Sequence, residues 1–539
     1  MSVLPSTKGA PRPEEPAGDQ PIVPRSFYEW AAADPGRIAI WDDDGSSTTF
    51  GDLLARVNRL AHGLRGLGLE VGDSIAGVLG NSADFVALAL ATGQVGMYLV
   101  PLNWHLTAPE LAYIVADSQA RAVVAEDADQ AAKLGTVELP ALRFVRGAAT
   151  SGWAALIDLE SGQPSWSPVD RTSGDLMGYT SGTTGRPKGV RRFLSGKEPE
   201  EALPPLLQFA QLLGVERGAG THLICSPLYH SAPANFALSS LHLGHTLICH
   251  RSFDAERVLS DIAQHSVTDS HMVPTHFLRL LRLPQEIREQ YDVSSMRSLA
   301  HAGAPCPVPT KHAIIDWLGP IVWEYLGSTE GGVAMISAEE WLQHPGSVGR
   351  PMPWVEVRLL DESGEEVPAG EAGTIYFSTG LAPFAYHNDP IKTEASRSGH
   401  YSTVGDIGRF DEDGYLYLLD RRDDLIVSGG VNIYPAEVEN HLIGHPAVED
   451  VVVFGVPDDE WGSSVVAVVQ LINGVPATDE TVEVLLQHCL DGLAKFKRPR
   501  SISFGPLPRT PSGKVSRRRV REHYLTAGRP TPATQRSHP

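Results

Sequence analysis

The sequence predicts an α/β protein in which parallel sheets covered by helices occupy most of the chain. Three observations carry this. Short apolar, strand-like runs alternate with amphipathic segments between residues 73 and 300. From about Gly346 the character shifts to short strands between Gly- and Asp-rich turns. Beyond the charged segment Asp420-Arg-Arg-Asp-Asp424 the pattern becomes that of a compact α+β unit.

Taken in order, residues 1–24 are rich in Pro, Glu and Ala and read as a tail. Asp73–Leu79 reads as a buried strand and Ser82–Ala91 as a helix capped by Ser82. Thr107-Ala-Pro-Glu110 has the spacing of a capping box with Pro in the first turn, opening a helix that buries Leu111, Ile114 and Val115. A strand follows at Arg121–Ala125, and the β–α–β order recurs through Leu223–Cys225, Ala255–His265 and Ser298–Ala300. Val355–Leu360, Gly373–Ser378 and Gly414–Leu419 are the short strands of the β-rich region. Val448–Val456 and Ser463–Leu471 read as paired strands, and Glu480–Leu490 as a helix. The domains expected are a tail 1–24, a large unit 25–422, a small unit 423–528 and a tail 529–539, with the boundary near Asp423.

Composition bounds the partners. Of 539 residues, 42% are hydrophobic and 20% charged, ordinary for a globular protein, and the net charge of −21 argues against nucleic acid or an anionic membrane as partner. Four cysteines, Cys225, Cys249, Cys306 and Cys489, lack metal or disulfide spacing and read as buried thiols of a reducing cytoplasm. Phe85–Leu102 is too short and interrupted to span a bilayer, so a soluble protein is expected.

The strongest chemical signal is Tyr179-Thr-Ser-Gly-Thr-Thr-Gly-Arg-Pro-Lys-Gly-Val190. Gly182, Gly185 and Gly189 let backbone N–H groups approach an anion, and Thr180, Ser181, Thr183 and Thr184 add hydroxyl donors. Lys188 adds charge, and the whole suits a polyphosphate, although it is not the GxxxxGK[ST] loop of the P-loop NTPases. Further short motifs follow: Pro227-Leu-Tyr-His230, Gly303-Ala-Pro305, Gly327-Ser-Thr-Glu330, Gly346-Ser-Val-Gly-Arg-Pro351, Gly405-Asp406, Asp420-Arg421, Gly429-Gly430 and Pro508-Arg-Thr-Pro-Ser-Gly-Lys514.

Over roughly residues 25–525 this series resembles the adenylate-forming enzymes: acyl-CoA synthetases, peptide-synthetase adenylation domains and beetle luciferases. The resemblance implies two α/β subdomains plus a small β-barrel, followed by a small mobile α+β C-terminal domain. It further implies an acid–thiol ligase that activates a carboxylic acid with ATP and Mg²⁺ and transfers the acyl group to coenzyme A. Lys514 would offset charge developing at the α-phosphate, Glu330 with Thr183 would hold Mg²⁺, and His230 would gate or orient the acyl carboxylate. ATP or AMP would be held by residues 180–185 and Lys188, by Gly303, Ala304 and Pro305, by Gly327, Ser328 and Thr329, and by Asp406 and Arg421. Asp423 would be the hinge, and Gly429 and Gly430 would line the passage for CoA. Phe236, Met272, Phe277 and Gly331 are expected at the acyl pocket, which carries no evident fixed charge. A fatty or alicyclic acid ranks first and an aryl acid second. Leu326 stands where the family usually has an adenine-stacking aromatic residue, with Tyr325 one place earlier.

Expected partners are the acid, ATP and CoA; no nucleic acid and no integral membrane segment are expected, and a homodimer is left open. Competing readings are a ligase that loads a separate carrier protein, a luciferase-like oxygenase, and a nucleotide-binding regulator without catalysis. A dehydrogenase is excluded because Gly218-Ala-Gly220 has no third glycine of a GxGxxG fingerprint.

Overall fold

The computed structural model describes residues 23–180, 187–379, 384–421, 424–428, 431–458, 461–509 and 515–526. All statements below concern those residues.

Two parallel sheets form the bulk of the chain. The larger runs Arg350–Pro351, Gly332–Ile336, Val322–Gly327, Ser298–His301, Asp269–Met272, Thr221–Ile224, Thr246–Cys249, Ile38–Trp41, Ser47–Thr49. Its interior is parallel and its edges antiparallel. The second runs Ala154–Ala155, Leu142–Val145, Ala120–Ala125, Ser74–Val78, Tyr98–Pro101, Asp175–Leu176 and is parallel throughout. Helices cover the faces because strands such as Ser74–Val78 are buried at every residue and cannot meet water on either side.

Local capping sets where the helices begin. Ser82 Oγ accepts from the Phe85 N–H, and Asp254 caps Ala255–His265 through the Arg257 N–H. At Thr107 the box forms differently from the usual exchange. The Glu110 carboxylate accepts both the Thr107 N–H, at 2.8 Å, and the Thr107 hydroxyl, at 2.7 Å. A carboxylate has lone pairs for both donors, so the hydroxyl is drawn away from the helix backbone.

The β-rich region is an antiparallel sheet, Arg397–Ser398, Tyr401–Ser402, Gly373–Ser378, Asp406–Phe410, Leu416–Arg421, with Glu356–Leu360 also paired to Gly373–Ser378. A separate three-stranded piece, Phe384–Tyr386, Lys188–Arg192, Gly178–Thr180, joins distant parts of the chain. In the C-terminal unit Val448–Asp458 pairs antiparallel with Gly462–Leu471, which pairs parallel with Ser501–Phe504. Core membership changes between Leu418, packed with the β-rich sheet, and Ile426, packed in the C-terminal unit. Those two residues bracket the expected boundary at Asp423, which itself lies outside the described residues.

Arg517, whose basic stretch of sequence leaves plain solvated charge open as a reading, is an ionic node between the units. Its guanidinium reaches Asp420 at 3.4 Å, Asp424 at 2.7 Å and Glu439 at 2.9 Å. The cysteines match their expected character: Cys225, Cys249 and Cys489 are buried and Cys306 is partly so, all as free thiols. Burial raises each thiol pKa, that of Cys225 to about 12 and that of Cys489 to about 11. No described helix is long and apolar enough to cross a membrane.

A buried ionic cluster underlies the N-terminal ends of the larger sheet's strands. Asp269, 2% exposed, accepts from His222 and from His245 Nδ1 at 2.7 Å. The Ser240 and Thr268 hydroxyls donate to the same carboxylate at 3.0 and 2.9 Å. His245 Nε2 lies 2.6 Å from the Glu216 carbonyl. Both nitrogens of His245 face acceptors, so the ring donates from both and is an imidazolium. Burial by itself lowers the His245 pKa, but the Asp269 hydrogen bond and charge override it and the net shift is upward. Burial likewise works against the Asp269 carboxylate, and the two imidazoles bring it below its ordinary value.

Stability from His245 is therefore present below its ordinary value of 6.5 and lost as pH rises through the elevated folded value. That from Asp269 is present above its ordinary 3.8 and lost as pH falls toward the depressed one. Asp269→Asn should cost about 3–5 kcal/mol by leaving a buried cation unpaired. His245→Gln should flatten the alkaline limb of the thermal midpoint plotted against pH. An unchanged limb would exclude this pair as its source.

Candidate active site

Three of the expected motifs follow the C-terminal ends of the larger sheet's parallel strands, where open α/β sheets bind ligands. Thr221–Ile224 leads into Pro227–His230, Ser298–His301 into Gly303–Pro305, and Val322–Gly327 into the turn holding Glu330. That turn is tight: Ser328 and Gly331 exchange N–H···O=C bonds of 2.8 and 3.2 Å, closing a hairpin in which Gly327 faces Gly332. The Glu330 N–H donates to Ser328 Oγ at 3.2 Å, and the Thr329 carbonyl accepts from Arg192 at 2.7 Å. The Glu330 carboxylate is 9% exposed and accepts from the Tyr386 hydroxyl at 3.0 Å.

Thr180 and Lys188 lie opposite each other in antiparallel register, at the two feet of the glycine- and hydroxyl-rich loop. The loop residues themselves, Ser181 to Arg186, lie outside the described residues. Tyr179 anchors one foot, its hydroxyl donating to Asp117 at 2.7 Å. Gly178 is closely covered, because an added Cβ would sit 2.5 Å from Ser231 Oγ and 2.9 Å from Thr329 Cγ2, and those side chains would have to shift. Lys188 is largely buried, with its ammonium 3.8 Å from Asp389 and 5.7 Å from the centroid of the Tyr386 ring. Burial and then the neighbouring Lys392 lower its pKa to about 8, against the opposing pull of Asp389. An anion placed there would restore its full charge.

Asp406 and Arg421 are direct cross-strand neighbours in the backbone register. His230 is the N-cap residue of the helix Ser231–Leu243, with its ring 4.7 Å from Tyr229. Lys514, Asp423, Gly429 and Gly430 lie outside the described residues. Arg509 and Val515, which flank residues 510–514 in the sequence, form an isolated antiparallel bridge.

The acyl-pocket expectations divide. Phe236 packs against Phe209, Tyr325 and His271 at ring separations of 5.8, 5.9 and 4.9 Å. Gly331 lies close by in the Glu330 turn, where a Cβ would meet Phe377 and Thr379 at 3.1 and 3.2 Å. Met272 and Phe277 belong to a different core, with Leu223, Val258, Ile314 and Val322. Successive residues of a strand face opposite ways, so His271 points toward Phe236 and Met272 points away from it. Tyr325 is also turned inward, 8% exposed with its hydroxyl 3.1 Å from His271 Nε2.

Three contributors escape sequence reasoning. Asn81 accepts from the Leu228 N–H at 2.7 Å and donates to the Ser226 and His250 carbonyls, both at 2.9 Å, fixing the segment that presents His230. Tyr386 and Lys392 come from a stretch over 50 residues beyond Glu330 and carry no motif spacing linking them to it. Only strand pairing brings them in.

A buried carboxylate on a turn, a lysine at the foot of a glycine- and hydroxyl-rich segment and the cross-strand register of Asp406 and Arg421 are what the described residues supply. Comparison with known proteins makes this specific. The family described as "AMP-binding enzyme" matches residues 27–381, and "AMP-binding enzyme C-terminal domain" matches residues 437–514. The chain belongs to this family. It is 37% identical over 489 residues to a feruloyl-CoA synthase of Amycolatopsis, covering 89% of this chain and 94% of that protein. To a long-chain-fatty-acid–CoA ligase of Mycobacterium tuberculosis it is 31% identical over 489 residues, covering 88% and 93%. The structure of an amide bond synthetase from Marinactinospora thermotolerans superposes with a TM-score of 0.81 at 28% identity, covering 92% and 99%. The protein is an ATP-dependent, AMP-forming acid–CoA ligase.

Gly178→Ala should separate the Ser231 helix from the Glu330 turn and reduce acid-dependent pyrophosphate release at least roughly tenfold, since sub-ångström misplacement of reacting groups is costly. Circular dichroism should remain that of the parent. Full activity in this variant would refute the close-packing requirement.

Proposed function

We propose that the acid is a hydrophobic monocarboxylic acid, with an aryl acid favoured over a fatty or alicyclic one. The observation that carries this is the ring cluster of Phe209, Phe236, Tyr325 and His271, lying behind the Glu330 turn among Ala302, Val333 and Ala334. Flat rings offer edge and face contacts to another ring. This proposal places the aryl acid ahead of the fatty or alicyclic acid that ranked first from sequence alone. The feruloyl-CoA synthase at higher identity agrees with the aryl reading, and the fatty-acid ligase supports the second.

The mechanism has two displacements. First, a carboxylate oxygen of the acid bonds to the α-phosphorus of ATP while the bond to pyrophosphate breaks, giving an acyl adenylate. Lys188 and the loop between its two feet bind the phosphates, and Lys514 offsets charge at the α-phosphate. The Glu330 carboxylate fits Mg²⁺, being a buried oxygen donor at the loop, and no group of three or more metal-ligating side chains occurs among the described residues. One carboxylate plus nucleotide oxygens is the way Mg²⁺ is commonly held, and there it would neutralise phosphate charge. Asp406 and Arg421 bind the ribose, and His230 orients the acid. The C-terminal unit then turns about Asp423, and CoA enters past Gly429 and Gly430. Its sulfur bonds to the acyl carbon, AMP leaves, and the thiol proton passes to solvent.

Pyrophosphate release across cinnamic-type, benzoic, fatty and alicyclic acids, with and without CoA, tests the reading. Highest kcat/KM with an aryl acid and acceleration by CoA are expected. Preference for an amino acid or a dicarboxylate would overturn it. Lys514→Ala should abolish adenylation yet spare thioester formation from supplied acyl adenylate, whereas Asp423→Pro should show the reverse bias. Equal loss in both half-reactions would remove either residue from its role.

A further inference from the structure

Tyr386 touches both charged groups of the proposed polyphosphate site. Its hydroxyl donates to Glu330 at 3.0 Å, and its ring faces the Lys188 ammonium at 5.7 Å. The side chain is 7% exposed, and its backbone is fixed from two sides. On one side Tyr386 pairs with Val190 on the strand that carries Lys188. On the other its N–H donates to Thr393 Oγ1, at 2.9 Å, on the helix Pro390–Ala395. That helix is capped by Asp389, the same carboxylate that pairs with Lys188. The hydroxyl's position is thereby set by the strand bearing the lysine, and the carboxylate's by the hydroxyl.

We propose that Tyr386 is a positioning residue that holds the Glu330 carboxylate in register with Lys188, so that metal and polyphosphate are received together. The proposal rests on the assignment of Glu330 to Mg²⁺. A turn glutamate has several rotamers, and the Tyr386 bond takes one oxygen and leaves the other for an ion. Residues that orient a metal ligand commonly change metal affinity by roughly 10–100-fold when removed.

The test uses the whole chain, ATP and Mn²⁺ without any acid, so that no chemistry occurs. Calorimetry gives the affinity for ATP with and without Mn²⁺, and the ratio is the gain due to the metal. Tyr386→Phe keeps the ring over Lys188 and removes only the hydroxyl. It should reduce that gain roughly tenfold or more while leaving AMP affinity, which needs no metal, unchanged. In a Glu330→Gln background the same change should have no further effect, because the two act as one unit. An undiminished gain in Tyr386→Phe, or an equal loss in both backgrounds, would overturn the proposal. Acid-dependent pyrophosphate release by the parent enzyme decides the ligase reading separately.

Discussion

The site depends on one steric constraint, the absence of a side chain at Gly178. There the last strand of the second parallel sheet leaves Tyr98–Pro101 and passes into the three-stranded piece that carries Lys188. The N-terminus of the Ser231 helix and the Glu330 turn both close onto that backbone. Each of the three comes from a different part of the fold, and the hydrogen bond from Ser231 to the Thr329 hydroxyl, 3.4 Å long, marks where they meet. Close-packed interiors transmit such a constraint rather than absorb it. A methyl group here would press on the Ser231 and Thr329 side chains together.

Much of this was legible in the sequence, and for definite reasons. Ser82 and the strand before it were readable because cap chemistry and continuous apolar runs are local signals. The glycine- and hydroxyl-rich segment and Glu330 could be singled out because their motifs are contiguous. Met272 and Phe277 illustrate the limit. Both are apolar and near the site in sequence, but which face each occupies depends on pairing between Asp269–Met272 and Ser298–His301. Tyr386 and Asn81 were invisible for a related reason, since their partners lie in other elements altogether. Arg517 looked like solvated charge, and only the fold reveals three carboxylates converging on it.

The electrostatics also divide by location. At the N-terminal ends of the large sheet's strands, His222, His245 and Asp269 compensate one another in full burial, and a well-satisfied network there rigidifies the scaffold. At the opposite ends, Lys188 and Lys392 stand close with Asp389 nearby, a concentration of positive charge that the phosphates of a nucleotide would relieve. The overall charge of −21 conceals this local polarity. Net charge governs solubility and encounter, and the local arrangement decides what binds.

The sealed cysteines acquire meaning from the second substrate. An enzyme that takes up coenzyme A works beside a reactive sulfur and, wherever oxidation occurs, beside its disulfides. Exchange with a mixed disulfide requires a thiolate that is both ionised and reachable. Cys225, Cys249 and Cys489 are buried, and at all four positions burial keeps the proton on sulfur. The thiolate that such an exchange needs is thus disfavoured at every cysteine of the chain, most of all at the three that are buried.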